Sequence, residues 1–235
     1  MLAPGEYQLL PIDAPQVPPK ELTLAVRWRI KDLIDFPLDE ATVDVLRLGT
    51  GTAERGNKLL AVVARNDLLR RYLALASQSD VTLATIDIPE LAQRNLAARL
   101  ETPGRALAVL SLTPQGGLLT VSCDGELCFH RRMQFTPDSL APTQAEPALQ
   151  RLALELQRSL DYIERHHGTW RLDRIVLAPP PVSASLLPFL REHLYLPLEL
   201  ADLTQVFDGS LPEPSTLASC WFALGGALRR DTVGL

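Results

Sequence analysis

Apolar positions along this chain recur with two periods, and the changes from one to the other mark its elements. Tyr7 to Ile12 reads as a short strand ended by Asp13-Ala14-Pro15, and Pro18-Pro19 then opens a helix at a position where a missing N–H costs nothing. Leu22, Val26, Ile30 and Leu33 supply its buried stripe at helical spacing, and Phe36-Pro37 stops it. Thr42 to Leu48 alternates as a strand, Gly49 to Asn57 forms a glycine-bearing turn, and Leu59 to Ala64 is the unbroken apolar run of a buried strand. A hairpin is expected there. Asn66 caps the next helix, whose core face is Leu69, Tyr72, Leu73 and Ala76, and strand Val81–Ile86 and a helix from Pro89 to about Leu100 follow.

Glu101-Thr102-Pro103-Gly104 separates this block from a second one, because Pro and Gly interrupt both periods. Strands Ala106–Leu112, Leu118–Cys123 and Glu126–Met133 make a meander, the last pair turning at Asp124-Gly125. Thr136 to Pro147 reads as a loop. The strongest helical stripe follows in Leu149, Leu152, Ala153, Leu156, Leu160 and Ile163, with Gly168 as its C-cap. Strand Arg174–Ala178, helix Ala184–Leu194, strand Pro197–Leu200 and a helix from Leu217 to Arg230 complete the pass, and no repeat of solenoid period occurs. Strands and helices interleave throughout, so an α/β fold with mixed sheets is expected.

Composition narrows the function. With 235 residues, 46% hydrophobic and 22% charged, the chain has the make-up of a globular protein. A net charge of −5 offers no basic field for a phosphate backbone, so nucleic acid is not expected as a partner. Lys20, Lys31 and Lys58 are the only lysines, which excludes a phosphate-loop or Schiff-base lysine anywhere after residue 58. Cys123, Cys128 and Cys220 are too few and too scattered for a disulfide framework or a zinc knuckle, and a reducing compartment fits them. The first six residues lack the pattern of a signal peptide, and the long uncharged stretch from Ala106 to Cys123 is broken at Thr113-Pro114-Gln115-Gly116-Gly117, so no membrane span is expected.

The local chemistry is sparse. Gly49-Thr50-Gly51 lacks the third glycine and the helix of a dinucleotide turn and reads as a loop. His166-His167 beside Glu164 reads as a cationic helix C-terminus, Cys123 and Cys128 as packed thiols across a turn, and Asp87 with Glu90 as negative charge at a helix N-terminus. No catalytic residue and no metal set emerges from spacing alone.

A resemblance goes further. The run Val26-Arg27-Trp28-Arg29-Ile30-Lys31-Asp32-Leu33-Ile34-Asp35-Phe36-Pro37-Leu38-Asp39-Glu40, followed by Val43-Asp44-Val45, resembles PilM-type pilus assembly proteins, and Trp28 to Asp32 resembles the MshI branch that serves the mannose-sensitive haemagglutinin (MSHA) type IV pilus. Leu60 to Arg65, Thr85 to Ala92, Leu154 to Tyr162 and Ala223 to Leu228 continue it in order. The resemblance implies an actin-like ATPase, ribonuclease H-like fold of two lobes around a nucleotide cleft. Residues 1–15 would be a remnant of the first-lobe subdomain, 16–86 its inserted subdomain, 87–103 the return helix and 104–235 the second lobe, with the N-terminal part of the first lobe missing and its edge strand exposed.

What the resemblance implies about function divides in two. As an interaction protein the chain would be a cytoplasmic platform, held at the inner membrane by a PilN-like bitopic protein whose N-terminal tail binds near Trp28, Ile34, Phe36 and Pro37, with self-association open. As an enzyme it would hydrolyse ATP. The second phosphate loop of the superfamily needs an acid for the metal, whereas Val109 to Gly117 has none, so Ser111, Thr113 and Gly116, with Gln157, Arg158 and Ser159 near the adenine, would be vestigial. Pro179-Pro180-Pro181 replaces the adenosine turn's glycines and removes its N–H donors. The platform is therefore expected without a cofactor, and Mg·ATP at most as a weak ligand through the hydroxyls of Ser111 or Thr113.

Overall fold

The computed structural model describes residues 1–48, 58–140, 145–166, 170–179 and 186–229. Two compact units divide them, residues 1–48 with 58–89 and residues 90–229. The expected turn over 49–57, His167, the Gly168 cap, Pro180-Pro181 and the start of the helix expected from Ala184 lie outside the described residues.

The first unit is an antiparallel sheet with one helix on its face. Strand β1 (Tyr7–Asp13) and β2 (Ala41–Arg47) flank β3 (Lys58–Arg65), giving the order β1-β3-β2. Register is set by period two: Leu59, Ala61 and Val63 of β3 oppose Ile12 and Leu10 on one side and Val45 and Val43 on the other. That face meets Val26 and Ile30 of helix α1 (Leu22–Ile30), which a single 3₁₀ turn over Pro19–Glu21 introduces.

Four expectations fail in this unit. The first helix stops at Ile30, and Leu33 is 54% exposed. Ile34, Phe36 and Leu38 instead reach the sheet's core one residue in two, which a helix cannot present on one side. Asn66 is the first residue of helix α2 (Asn66–Gln78), and its side-chain oxygen accepts from Thr42 Oγ1 at 2.7 Å, so Arg65 stands at the cap position with no side-chain cap bond. Val81 to Ile86 forms no strand at all. Alternation is a propensity, and a strand needs a ladder. The stripe of α2 is not buried either: Leu69, Tyr72 and Ala76 are half-covered and Leu73 is 53% exposed.

The second unit is a mixed five-stranded sheet with helices on both faces. Helix α3 (Pro89–Leu100) leads into β4 (Ala106–Thr113), β5 (Gly116–Cys123) and β6 (Glu126–Met133), an antiparallel meander; helix α4 (Ala145–His166), β7 (Leu172–Leu177), helix α5 (Leu186–His193), β8 (Leu198–Leu200) and helix α6 (Pro214–Ala227) follow. The order is β6-β5-β4-β7-β8, with β4, β7 and β8 parallel. Alternate residues of β4 go to opposite faces: Ala108, Leu110 and Leu112 pack under α4 and α5, while Leu107 and Val109 pack under α3 and α6. The long helix carries the stripe expected of it, with Leu152, Leu156, Leu160 and Ile163 all buried. The loop expected over Thr136–Pro147 is shorter, holding a 3₁₀ turn at Asp138–Leu140 and yielding to α4 at Ala145. The mixed α/β class is as expected.

Candidate functional site

Helix α1 sorts its side chains by angle. Leu22, Val26 and Ile30 lie four apart and are buried, so Leu24 and Trp28, each two residues on, point about 200° away at 100° per residue. Both are exposed, Trp28 by 64%. The helix is fixed from behind: Arg27 donates to the carbonyls of Leu38 and Ala41, each at 2.9 Å, and Arg29 donates to that of Asp13 at 3.0 Å. Trp28 is therefore a rigidly mounted exposed aromatic, the kind of residue that anchors partners.

The other expected contact residues divide. Ile34 and Phe36 are half-buried against the unit's own core, and the Arg65 guanidinium lies 5.0 Å over the Phe36 ring. Pro37 is exposed and leads into a 3₁₀ turn over Leu38–Glu40. Trp28 is on the helix face opposite the core that Ile34 and Phe36 cover, so the core side does not gather the four into one patch. Elsewhere in this unit, Tyr72 donates to Glu6 at 2.8 Å, and that bond raises the phenol's pKa above its ordinary value.

In the second unit the expected nucleotide residues go to different faces. Thr113 and Gly116 are register partners closing a two-residue hairpin over Pro114-Gln115, and Thr113 Oγ1 donates to the Gly116 carbonyl at 3.0 Å. Gly116 has φ +120°, and a Cβ there would meet the Met133 carbonyl at 2.9 Å, so this turn is one that favours glycine. Ser111 has the parity of Leu107 and Val109 and so faces α3 and α6; its buried hydroxyl has no hydrogen-bond partner among the described residues. Ser159 is on α4, across the sheet, buried, donating to the Glu155 carbonyl at 2.7 Å and accepting from Arg131 at 3.2 Å. Gln157 donates to the His193 carbonyl, and Arg158 is exposed. Structural bonds thus use Thr113, Gln157 and Ser159, and Ser111 and Ser159 are kept apart by the sheet. Among the described residues no group of three or more His, Cys, Asp or Glu is placed to hold a metal ion.

Sequence reasoning missed the polar cluster beneath α3. Gln93, fully buried, donates to the carbonyls of Val109 and Leu118 and to Thr120 Oγ1, and accepts from Trp221 Nε1 at 3.1 Å. Glu90, also fully buried, takes Arg132 at 2.7 Å. His130 stands on the same face of β6 as Arg132, two residues on, and burial lowers its pKa, Glu90 opposing and Arg132 adding to the shift. No local spacing links residues from five elements, so no signal in the sequence could have found this cluster.

Comparison with solved structures bears on the fold. The chain matches a structure of the PilM-PilN type IV pilus biogenesis complex with a TM-score of 0.75 over 96% of its own length and 76% of that chain, at 20% identity. The chain shares the fold of that matched chain. The match runs across both units, so the PilM-PilN likeness covers nearly all the elements described above. The cytoplasmic domain of EpsL, an inner membrane component of the type II secretion system of Vibrio cholerae, matches with a TM-score of 0.49 at 13% identity over 96% of this chain and 71% of that one. A Bacteroides thetaiotaomicron protein with an actin-like ATPase fold and unknown function gives 0.43 at 10% identity over 83% and 65%. No family model and no curated protein matches the chain. Among the described residues no helix is long and apolar enough to cross a membrane.

Proposed function

We propose that the chain is a platform for assembly of a type IV pilus, of the MSHA (MshI-like) kind, and that it binds the N-terminal tail of a PilN-like bitopic inner-membrane protein. The fold shared with a PilM-PilN complex over 96% of the chain is the observation that carries this reading. On it, residues 16–86 correspond to the inserted subdomain and 104–235 to the second lobe, and the protein works in the cytoplasm, at the inner membrane through its partner. Trp28 is the residue through which the tail is anchored, because it is exposed and has its helix pinned from behind. Pro37 is exposed farther along the chain, after α1, whereas Ile34 and Phe36 contribute chiefly by holding the connection after α1 to the sheet.

The same reading makes the chain a binding protein rather than an ATPase. Phosphoryl transfer rests on placing metal and donors, and the β4–β5 hairpin offers a closed turn and no acid, with the Ser159 hydroxyl across the sheet from that of Ser111. Two titrations on the 235-residue chain test it together. A synthetic peptide of the PilN-like tail is expected to bind saturably, with affinity reduced about tenfold in Trp28→Ala, as for an anchoring aromatic. Mg·ATP is expected to release no phosphate above background. Turnover of ATP that falls in Arg158→Ala would restore the enzyme.

A further inference from the structure

The outer face of α4 carries a charge opposite in sign to that of the whole chain. Its buried stripe, Leu152, Leu156, Leu160 and Ile163, turns Arg151, Leu154, Arg158, Tyr162 and Arg165 to the other side of the helix at about 100° per residue, and all five are exposed. Among the described residues, Arg151 and Arg158 make no ion pair and no hydrogen bond. The one acid on that side, Asp161, is already paired with Arg165 at 3.8 Å. Glu155, toward β6, is paired with Arg131 at 3.5 Å, and Glu164 turns to Tyr195, whose hydroxyl donates to it at 2.8 Å. Two guanidiniums are thus left uncompensated on one helix face of a chain whose net charge is −5. A charged face is stable in water as it stands, so its exposure calls for no further polypeptide to cover it.

We propose that the outer face of α4 rests on the anionic headgroups of a phospholipid surface, with Arg151 and Arg158 on the phosphates and Tyr162 and Leu154 in the interfacial layer. A lipid surface suits the face better than an acidic peptide does. The outside of a helix is convex and offers no groove, and arginines interleaved with a tyrosine are the side chains that settle at headgroup level. At physiological salt the screening length is about 8 Å, so the surface senses this face rather than the charge of the whole chain. Each basic group held at an anionic surface multiplies partitioning about fivefold, which makes about 25-fold for the two uncompensated guanidiniums. That is a weak contact alone, and it becomes useful once a bitopic partner has brought the chain to the membrane. In this use the inference rests on the platform reading.

Flotation of the 235-residue chain with vesicles at millimolar lipid tests it without any partner. Vesicles of phosphatidylglycerol and phosphatidylcholine in equal parts are expected to carry the chain, and vesicles of phosphatidylcholine alone are not. Arg151→Gln combined with Arg158→Gln is expected to lower partitioning about 25-fold, with circular dichroism and binding of the PilN-like tail peptide unchanged. Arg70→Gln combined with Arg71→Gln makes the same change of net charge at exposed positions of α2, and is expected to leave partitioning within about twofold of wild type. No partitioning of the wild-type chain onto anionic vesicles, or an equal loss in the two double variants, would overturn the proposal. Binding of a polyglutamate peptide that the α4 variant loses, without partitioning onto vesicles, would overturn it in favour of an acidic polypeptide. The tail-peptide titration reports on the platform separately, so each of these results leaves that reading standing or falling on its own measurement.

Discussion

Glu90 and Arg132 come from elements far apart in sequence, and their ion pair is the most consequential single contact beneath α3. The carboxylate is fully buried and the guanidinium about one-third exposed, so removing the cation leaves a charge in low dielectric. Arg132→Ala is expected to destabilise the fold by about 3 kcal/mol, measurable as a shift of the urea midpoint. His130 adds a pH dependence. Its folded pKa is lowered from 6.5 by burial, so below that pH the unfolded state binds the extra proton and the folded state does not. Stability conferred by keeping it neutral is present above about pH 6.5 and is lost as pH falls toward the depressed folded value. His130→Gln should flatten the stability curve in that window, and an unchanged slope would assign the slope to other groups. The sequence marks Glu90 as negative charge at a helix start, which holds as far as it goes. Its partner, on a strand of the next sheet block, is not legible there, because pairing between a helix and a distant strand leaves no local spacing.

At the scale of elements, close packing explains a motif that the sequence only matches by resemblance. A Cβ on Gly225 in α6 would come within 2.0 Å of the Ala92 carbonyl in α3, and Asn95 Nδ2 donates to the Gly225 carbonyl at 2.9 Å beside it. Gly225→Ala forces the two helices apart and is expected to cost about 3 kcal/mol. Gly226→Ala, one residue on, serves as the comparison that separates steric exclusion from helix propensity in a thermal melt. Strong periodicity is a sound guide where it coincides with cover: α4 and the meander of β4, β5 and β6 form as expected. It misleads at Leu33, Leu73 and residues 81–86, where the pattern is present and a neighbour is not. Pattern reports what a segment is able to bury, and packing decides whether anything lies against it.

For the whole molecule, the fold is more legible than the site. Alternating periods give the mixed α/β class directly, while the expectation of two lobes rests on resemblance at Trp28 to Asp32 and along the chain. The nucleotide residues carried over by resemblance are dispersed: Gln157 and Ser159 hold α4 to α5 and to β6, and Thr113 closes a hairpin. Such roles depend on which face of a sheet a residue occupies, and counting along a strand gives parity without saying what covers each face. On the proposed platform reading, Trp28, exposed on the first helix, holds the tail of a partner. The most direct measurement is co-purification of this chain with a full-length PilN-like membrane protein in detergent, with and without that protein's N-terminal tail. The account predicts a stable complex by size-exclusion chromatography that disappears when the tail is deleted. A complex that survives tail deletion unchanged, or no complex with the intact protein, would contradict it.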